Sequence, residues 1–192
     1  MATTSQTKST NALLAEFTAR AEPVGTVVQR FADSSAAAAS LIHLAREHGA
    51  PSISISGEAK GVASDLVAAL ASAGLTCWTP ADANEARDAP FGVSVAQLAV
   101  AETGSLMLAE DNLADRAVGL VSIAHVTLCR IDALVPSLAE AARVLREIAS
   151  RPRGGYTTLV TGPSRTADIE MSLTVGVQGP AKVYALFVDL LS

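Results

Sequence analysis

The stretch "PSISISGEAKGVASDLVAALASAGLTCWTP", residues 51–80, decides the predicted fold. A short β-like run over residues 52–56 precedes a helical pattern over residues 62–73, which Gly74 ends. A second strand, "LTCWT", follows directly, and Pro80 closes it. Strands joined by a helix through short connections lie parallel in one sheet and are covered by helices. We therefore predict an α/β fold with a mixed, mostly parallel sheet and flanking helices.

Helices and strands are also predicted on both sides of this unit. Helical periodicity covers residues 11–22 and about 34–47, and Ser137 and Glu140 form a capping box for a helix over about 137–150. Further strands are predicted at "TVVQRF", at residues 123–129, at "YTTLV" and at "KVYALFVDL". The last of these is long and apolar, so we expect it in the interior of the sheet.

The segment "FGVSVAQLAVAETGSLMLA", residues 91–109, predicts a hairpin. We expect a short helix near residues 93–97, then strands over 98–101 and 105–109. The tight turn between the strands contains Gly104, so the two should pair antiparallel.

Length and composition favour one domain over residues 11–192, preceded by a disordered tail over residues 1–10. The net charge is −5 and no cluster of Lys and Arg forms a basic face, which argues against a nucleic-acid partner. No stretch of about 18 apolar residues is present and the first ten residues do not resemble a signal peptide. We expect a cytoplasmic protein with no membrane partner.

The cysteines and histidines give no pattern typical of a metal or redox site. Cys77 and Cys129 are far apart in apolar surroundings, so we expect buried free thiols and no iron–sulfur cluster. The histidines, including His125, lack metal-ligand spacing. "GEAKG", residues 57–61, lacks P-loop spacing and is predicted to be a plain loop. No metal and no cofactor are predicted.

The stretch "TGPSRTADIE", residues 161–170, is the first candidate site. Gly162 and Pro163 predict a turn, followed by a short helix capped by Ser164 or Thr166. The free N–H groups of that first helical turn, with Arg165, would suit a carboxylate or phosphate. Equally, Arg165 could pair with Asp168 or Glu170 and only lock the turn.

Two further residues have a functional and a structural interpretation. Glu102, in the hairpin turn, could act as a nucleophile or base, or could be an ordinary exposed acid. His125 interrupts an apolar strand, either as a satisfied core or pocket-wall histidine or as a proton donor that lines a cleft.

Four motifs resemble the LUD-domain family, and its lactate-utilization protein C group most closely. They are "AETGSLML" from residue 101, "AHVTLCRIDALVPSLAEA" from residue 124, "TGPSRTADIE" from residue 161 and "GVQGP" from residue 176. The similarity is strong over about residues 90–190. The sequence departs from the family's pattern over 109–119, where a glycine-rich segment is expected, and it lacks the Pro-Pro that often precedes the histidine strand.

The resemblance implies a fold shared with sugar-phosphate isomerases and class I coenzyme A transferases. It also implies a part in oxidising L-lactate to pyruvate alongside partner proteins that carry iron–sulfur clusters, with no redox centre in this chain. By fold-level analogy with the transferases, Glu102 becomes a candidate catalytic residue. The ligand-binding residues predicted from the matching motifs are Thr103, Gly104, His125, Gly162, Ser164, Arg165, Thr166, Asp168 and Gly179.

Two other classes of function remain open on the sequence. One is a stand-alone enzyme of the coenzyme A transferase or cyclo-ligase kind that uses Glu102. The other is a binding or regulatory module for a small organic or phosphorylated anion.

Overall fold

The fold is taken from a computed structural model that describes residues 9–87, 89–151, 155–167, 173–176 and 179–192. The helices are α1 (Thr10–Ala21), α2 (Ser34–Glu47), α3 (Gly57–Val62), α4 (Ser64–Ser72), α5 (Leu113–Val121) and α6 (Leu138–Ala149). The strands are β1 (Thr26–Asp33), β2 (Ser52–Ile55), β3 (Thr76–Trp78), β4 (Phe91–Val95), β5 (Leu98–Val100), β6 (Ser105–Ala109), β7 (Ala124–Arg130), β8 (Leu134–Val135), β9 (Thr157–Val160), β10 (Arg165–Ala167), β11 (Leu173–Val175) and β12 (Lys182–Leu190). Short 3-10 turns at Glu22–Val24 and Ile131–Ala133 complete the description.

The main sheet has six strands in the order β1-β12-β7-β4-β2-β3, and every neighbouring pair is parallel. This confirms the predicted α/β fold. β12 lies between β1 and β7, as expected for an apolar strand of the interior. Its side chains alternate between two apolar layers, with Leu186 in one and Phe187 in the other.

A second sheet of four strands has the order β8-β5-β6-β9. β5 and β6 pair antiparallel, with Val100 opposite Ser105, so the predicted hairpin is confirmed. β9 pairs antiparallel with the other edge of β6. β10 and β11 form a separate two-stranded hairpin.

Three apolar layers hold these parts together. Helices α2, α3 and α4 bury one face of the main sheet. Helix α1 and the second sheet cover much of the other face, where Phe17 meets Phe187 edge to face with 5.0 Å between ring centroids. Helix α6 packs on the far side of the second sheet, through Ala141 and Ile148. Strands β5 and β6 of the second sheet are therefore buried on both faces.

Several local predictions are wrong. The helix expected near residues 93–97 is strand β4, whose five residues are all buried. The loop expected over 57–61 is helix α3, because Ser56 caps it by accepting a hydrogen bond from the Ala59 N–H. The helix expected after Ser164 is absent over 165–167, where extended backbone pairs with β11.

The predictions for the N-terminal tail, the cysteines and membrane segments can also be compared with the structure. Helix α1 begins at Thr10, with Ser9 as its cap, and residues 1–8 of the predicted tail lie outside the described residues. Cys129 is fully buried, whereas Cys77 is only half-buried; both are free thiols. Among the helices that the structure describes, none is long and apolar enough to cross a membrane.

Candidate active site

A cavity of about 260 Å³ lies between helix α5, the second sheet and the start of β7. Pockets for small molecules are usually concave and mostly apolar, with a few placed polar groups, and this cavity has that character. It is lined by Leu108, Glu110, Arg116, Gly119, Leu120, His125, Thr158, Leu159, Val160, Thr161, Gly162, Ser164, Gly179 and Pro180.

Helix α5 forms one wall, and the segment after β6 fixes its position. Asn112 caps the helix by accepting a hydrogen bond from the Asp115 N–H at 2.8 Å. The Asp115 carboxylate accepts the Gly57 N–H at 2.7 Å, which ties α5 to the start of α3. A Cβ at Gly92 would lie 2.1 Å from the Val118 carbonyl oxygen, so only glycine lets α5 approach β4 this closely.

The sheet face beneath α5 is polar, although it is buried. Parallel pairing puts Gly92 beside His125 and Ser94 beside Thr127 on neighbouring strands. Ser94, His125 and Thr127 are all at most 1% exposed. The Thr127 hydroxyl and the His125 Nε2 have no hydrogen-bond partner among the described residues. Buried polar groups are normally paired, so this strip is unusual for a purely structural core.

Glu110 is the acid of this cavity. It is 7% exposed, and its carboxylate accepts a hydrogen bond from the Ser94 hydroxyl at 3.1 Å. Burial raises the pKa of Glu110 to about 7, and the nearby carboxylates of Asp115 and Glu58 act in the same direction. A carboxyl group with a pKa near 7 can both donate and accept a proton at neutral pH.

His125 is fully buried on β7, and burial lowers the pKa of its imidazole to about 4. The ring is therefore neutral at physiological pH. Helix α5 makes room for it at Gly119, where a Cβ would lie 2.9 Å from the ring Cε1 and 3.1 Å from Nε2. His125 can thus offer one hydrogen bond to a molecule in the cavity.

Arg116 contributes the positive charge. Its Nε donates to the backbone carbonyl of Glu110 at 3.0 Å, and its guanidinium lies 4.0 Å from the centre of the Tyr156 ring. These contacts orient the guanidinium without pairing it to the Glu110 carboxylate. A planar guanidinium held in this way suits a ligand carboxylate.

Four predicted ligand-binding residues line the cavity, namely His125, Gly162, Ser164 and Gly179. Gly162 has a φ of 78°, and a Cβ there would lie 2.5 Å from the Val24 carbonyl oxygen. Glycine is therefore required at position 162, both by the positive φ and by the short distance to the Val24 carbonyl oxygen.

Arg165 of the same motif lies away from the cavity lining. Arg165 is exposed and is not among the cavity-lining residues; its Nη2 donates to the Val24 carbonyl oxygen at 2.6 Å. That contact fastens the turn to the segment before β1, whereas the predicted pairing of Arg165 with Asp168 or Glu170 lies outside the described residues. The backbone of Thr166 lies in β10, while its side chain and the whole of Asp168 lie outside the described residues.

The hairpin turn with Glu102, Thr103 and Gly104 lies at the end of the second sheet where Ser105 and Thr161 meet, with 2.7 Å between their hydroxyl oxygens. The turn is nevertheless not part of the cavity lining. Gly104, with a φ of 66°, packs against the end of α1, where a Cβ would lie 2.7 Å from the Ala21 nitrogen.

The Glu102 carboxylate accepts a hydrogen bond from the Leu138 N–H at 3.0 Å, at the start of α6. Glu102 thus occupies the position of a helix-capping acid. Its catalytic role stays a prediction.

Glu110 and Arg116 are not among the site residues predicted from the sequence, because residues 109–119 depart from the family pattern. One signal was present. "EDNLAD", residues 110–115, directly follows a buried strand and contains the N-x-x-D spacing of a helix start. A charged residue at the end of a buried strand, where a helix begins, is a candidate for a site wall.

Sequence comparisons with known proteins identify relatives of this chain. The family model described as LUD domain matches residues 14–188. A Lactate utilization protein C of Shouchella clausii is 34% identical over 106 residues, which are 55% of this chain and 46% of that protein. The Lactate utilization protein C of Bacillus subtilis is 30% identical over 110 residues, which are 55% of this chain and 45% of that protein. The matches therefore span about half the length of these relatives.

A solved structure has the same fold. A crystal structure of a DUF162 family protein from Deinococcus radiodurans superimposes with a TM-score of 0.66 and covers 95% of this chain and 99% of that one, at 22% identity. Because the family model spans most of the sequence, the chain belongs to the LUD domain family.

Proposed function

We propose that this chain takes part in the oxidation of L-lactate to pyruvate, and that it binds a small organic acid in the cavity beneath α5. The observation that carries the proposal is the meeting of Glu110, Arg116 and His125 around one cavity, which Gly162, Ser164 and Gly179, three further residues predicted from the sequence, also line. The names of the relatives, Lactate utilization protein C, are the reason for proposing a role in lactate utilization.

We infer that electron transfer belongs to partner proteins with iron–sulfur clusters. The sequence contains only two cysteines, whereas clusters of the four-cysteine kind need four. Two free thiols also suit a reducing compartment, so the proposal places the chain in the cytoplasm. In this proposal the chain binds or presents the organic acid, and its partner proteins accept the electrons.

The competing proposal is a stand-alone enzyme that uses Glu102 as a nucleophile. It has less support, because the Glu102 carboxylate already accepts the Leu138 N–H and lies outside the cavity lining. A nucleophile needs a free carboxylate oxygen that faces the substrate.

Deletion of the gene tests the proposed function. Cells without the chain should grow poorly with L-lactate as the carbon source and normally with pyruvate, because pyruvate enters metabolism after the proposed step. Restoring the gene should restore growth on L-lactate. Normal growth of the deletion strain on L-lactate, with no second copy of the gene present, would contradict the proposal.

A further inference from the structure

The charges around Glu110 limit which ligand the cavity can hold. The charges of Asp115 and Arg116 on α5 and of Glu58 on α3 act on the Glu110 carboxyl, and the neutral ring of His125 lies on β7. Among these described groups there are three carboxyl groups and one guanidinium. A ligand with two or more negative charges would be repelled, so a singly charged acid fits better than a phosphorylated one.

A second layer of charge does not change this balance. Asp111 and Arg151 form an exposed ion pair at 3.3 Å, and both influence the Glu58 carboxyl, whose pKa is raised mainly by burial. The Glu58 carboxylate also accepts a hydrogen bond from the Gln97 side-chain amide. One positive and one negative group in this layer largely offset each other.

Within the described part of the chain, the Glu110 carboxylate has no ion-pair partner. Arg116 is close but bonds to the Glu110 backbone carbonyl. A buried, unpaired carboxylate is costly when ionised, and the cost grows when a second anion enters the same cavity. The protonated form carries no charge and can donate a hydrogen bond to the incoming anion.

The surroundings of His125 indicate a ligand independently of the charges around Glu110. It is 1% exposed, it lines the cavity, and its Nε2 has no hydrogen-bond partner among the residues described. Gly119 leaves space for the ring in this position. A buried imidazole nitrogen at a cavity wall is positioned to bond to an oxygen of a bound molecule.

We propose that the cavity takes a small monocarboxylate, which is held by Arg116 and His125, and that Glu110 takes up a proton when this anion binds. The proposal rests on the proposed function, in which the cavity holds an organic acid. It adds the charge class of the ligand and makes binding depend on pH. No bond forms or breaks in this step, and the proton comes from solvent.

The size of the pH effect on ligand affinity follows from the fraction of Glu110 that is protonated before binding. With a pKa of about 7, that fraction is near one at pH 6 and near one tenth at pH 8. Apparent affinity falls in proportion to the competent fraction, so binding should weaken about tenfold from pH 6 to pH 8. Proton uptake should approach one per bound ligand at pH 8.

Isothermal titration calorimetry of the purified full chain tests this inference, with L-lactate and pyruvate as probes and inorganic phosphate as the comparison. The wild type should bind a monocarboxylate, more tightly at pH 6, and should not bind phosphate. Titrations at pH 8 in two buffers of different ionisation enthalpy should show proton uptake. Glu110→Gln, which mimics the protonated form, should bind equally well at both pH values, whereas Glu147→Gln on the exposed face of α6 should keep the wild-type dependence.

Several results would overturn the inference. These are wild-type binding with no pH dependence or no proton uptake, a Glu110→Gln variant that keeps the full pH dependence, preferential binding of phosphate, or no binding of either monocarboxylate. If Glu110→Gln does not fold, the titrations of the wild type in two buffers at pH 8 still show whether a proton is taken up on binding. The growth test on L-lactate judges the proposed function separately, so failure of one can be told from failure of the other.

Discussion

At the scale of single residues, burial acts in opposite directions on the two titratable groups of the cavity. It raises the pKa of Glu110 from an ordinary 4.5 to about 7 and lowers that of His125 from 6.5 to about 4. Both groups are therefore pushed towards their neutral forms. A neutral cavity wall lets the charge of a ligand and of Arg116 dominate the site.

These shifts predict how stability depends on pH. Folded Glu110 keeps its proton longer than the unfolded chain does, so its contribution to the free energy of unfolding falls as pH rises from about 4.5 to about 7. Folded His125 releases its proton earlier, so its contribution rises as pH rises from about 4 to about 6.5. Each slope is at most about 1.4 kcal/mol per pH unit, and the two oppose each other over most of this range.

Urea unfolding at pH 5, 6 and 7 measures the two contributions separately. Relative to the wild type, Glu110→Gln should become steadily more stable as pH rises, and His125→Gln steadily less stable. Comparison between proteins removes the contribution of all other groups. Free energies of unfolding that run parallel for all three proteins would show that neither group has a shifted pKa.

Glu102 allows the structural and catalytic interpretations to be separated. Its carboxylate bonds to the Leu138 N–H, so Glu102→Ala should lower the free energy of unfolding by about 0.5–1 kcal/mol. Glu102→Gln keeps an acceptor oxygen and should cost less. If capping is its role, both variants support growth on L-lactate. A well-folded Glu102→Gln that cannot support growth would instead establish the catalytic prediction.

At the scale of elements, helix α5 is the part on which the site depends. It supplies Arg116 and Gly119 to the cavity and rests on β4 at Gly92. Only the absence of side chains at the two glycines permits both contacts. The position of the cavity wall is thus set by close backbone approach together with the hydrogen bond of Asp115 to the Gly57 N–H.

Replacing Gly92 tests this arrangement. Gly92→Ala puts a Cβ 2.1 Å from a backbone carbonyl oxygen, which cannot rotate away, so α5 must move from the sheet at a cost of at least about 1–3 kcal/mol. The matched control is Gly61→Ala in α3, where a Cβ meets nothing within 4 Å and helix propensity should add stability. Equal thermal unfolding temperatures for the two variants would contradict the close packing.

Patterns of local spacing made most elements predictable, and long-range pairing explains the failure at β10. α1, α2 and α6 have periodic apolar faces, and the glycine turn identifies the β5–β6 hairpin. The helix prediction over residues 93–97 was wrong although β4 carries a strand pattern, in which Phe91, Val93 and Val95 alternate with Gly92 and Ser94. The start of β10 was mistaken for a helix because Ser164 resembled a cap, while pairing with β11 decided the conformation.

The candidate site was predictable only in part, for a related reason. Gly162, Ser164 and Gly179 belong to turns with recognisable residues, and they do line the cavity. Glu110 becomes notable only when α5 covers it, since burial and not sequence spacing shifts its pKa. The local pattern over 110–115 indicates that a helix begins there, but it does not record that α5 packs back against β4 beside Glu110.

At the scale of the whole molecule, the cavity exists because two sheets and a helix meet. β6 and β9 of the second sheet form one wall, β7 of the main sheet forms another, and α5 closes the space between them. The apolar layer around Phe17, Leu106 and Phe187 holds the two sheets together. A change at any of these contacts should therefore affect the shape of the site as well as stability.

The central claim is that the contribution to lactate utilization is made at this cavity. Growth on L-lactate of the deletion strain carrying Arg116→Met tests it most directly, with Arg143→Met on the exposed face of α6 as the control and with thermal unfolding measured for both proteins. Loss of a charge-assisted hydrogen bond of roughly 1.5–3 kcal/mol should weaken ligand binding by about 10- to 100-fold. We expect a folded Arg116→Met that supports growth on pyruvate but not on L-lactate, beside a control that supports both. A folded Arg116→Met that restores full growth on L-lactate would contradict the claim.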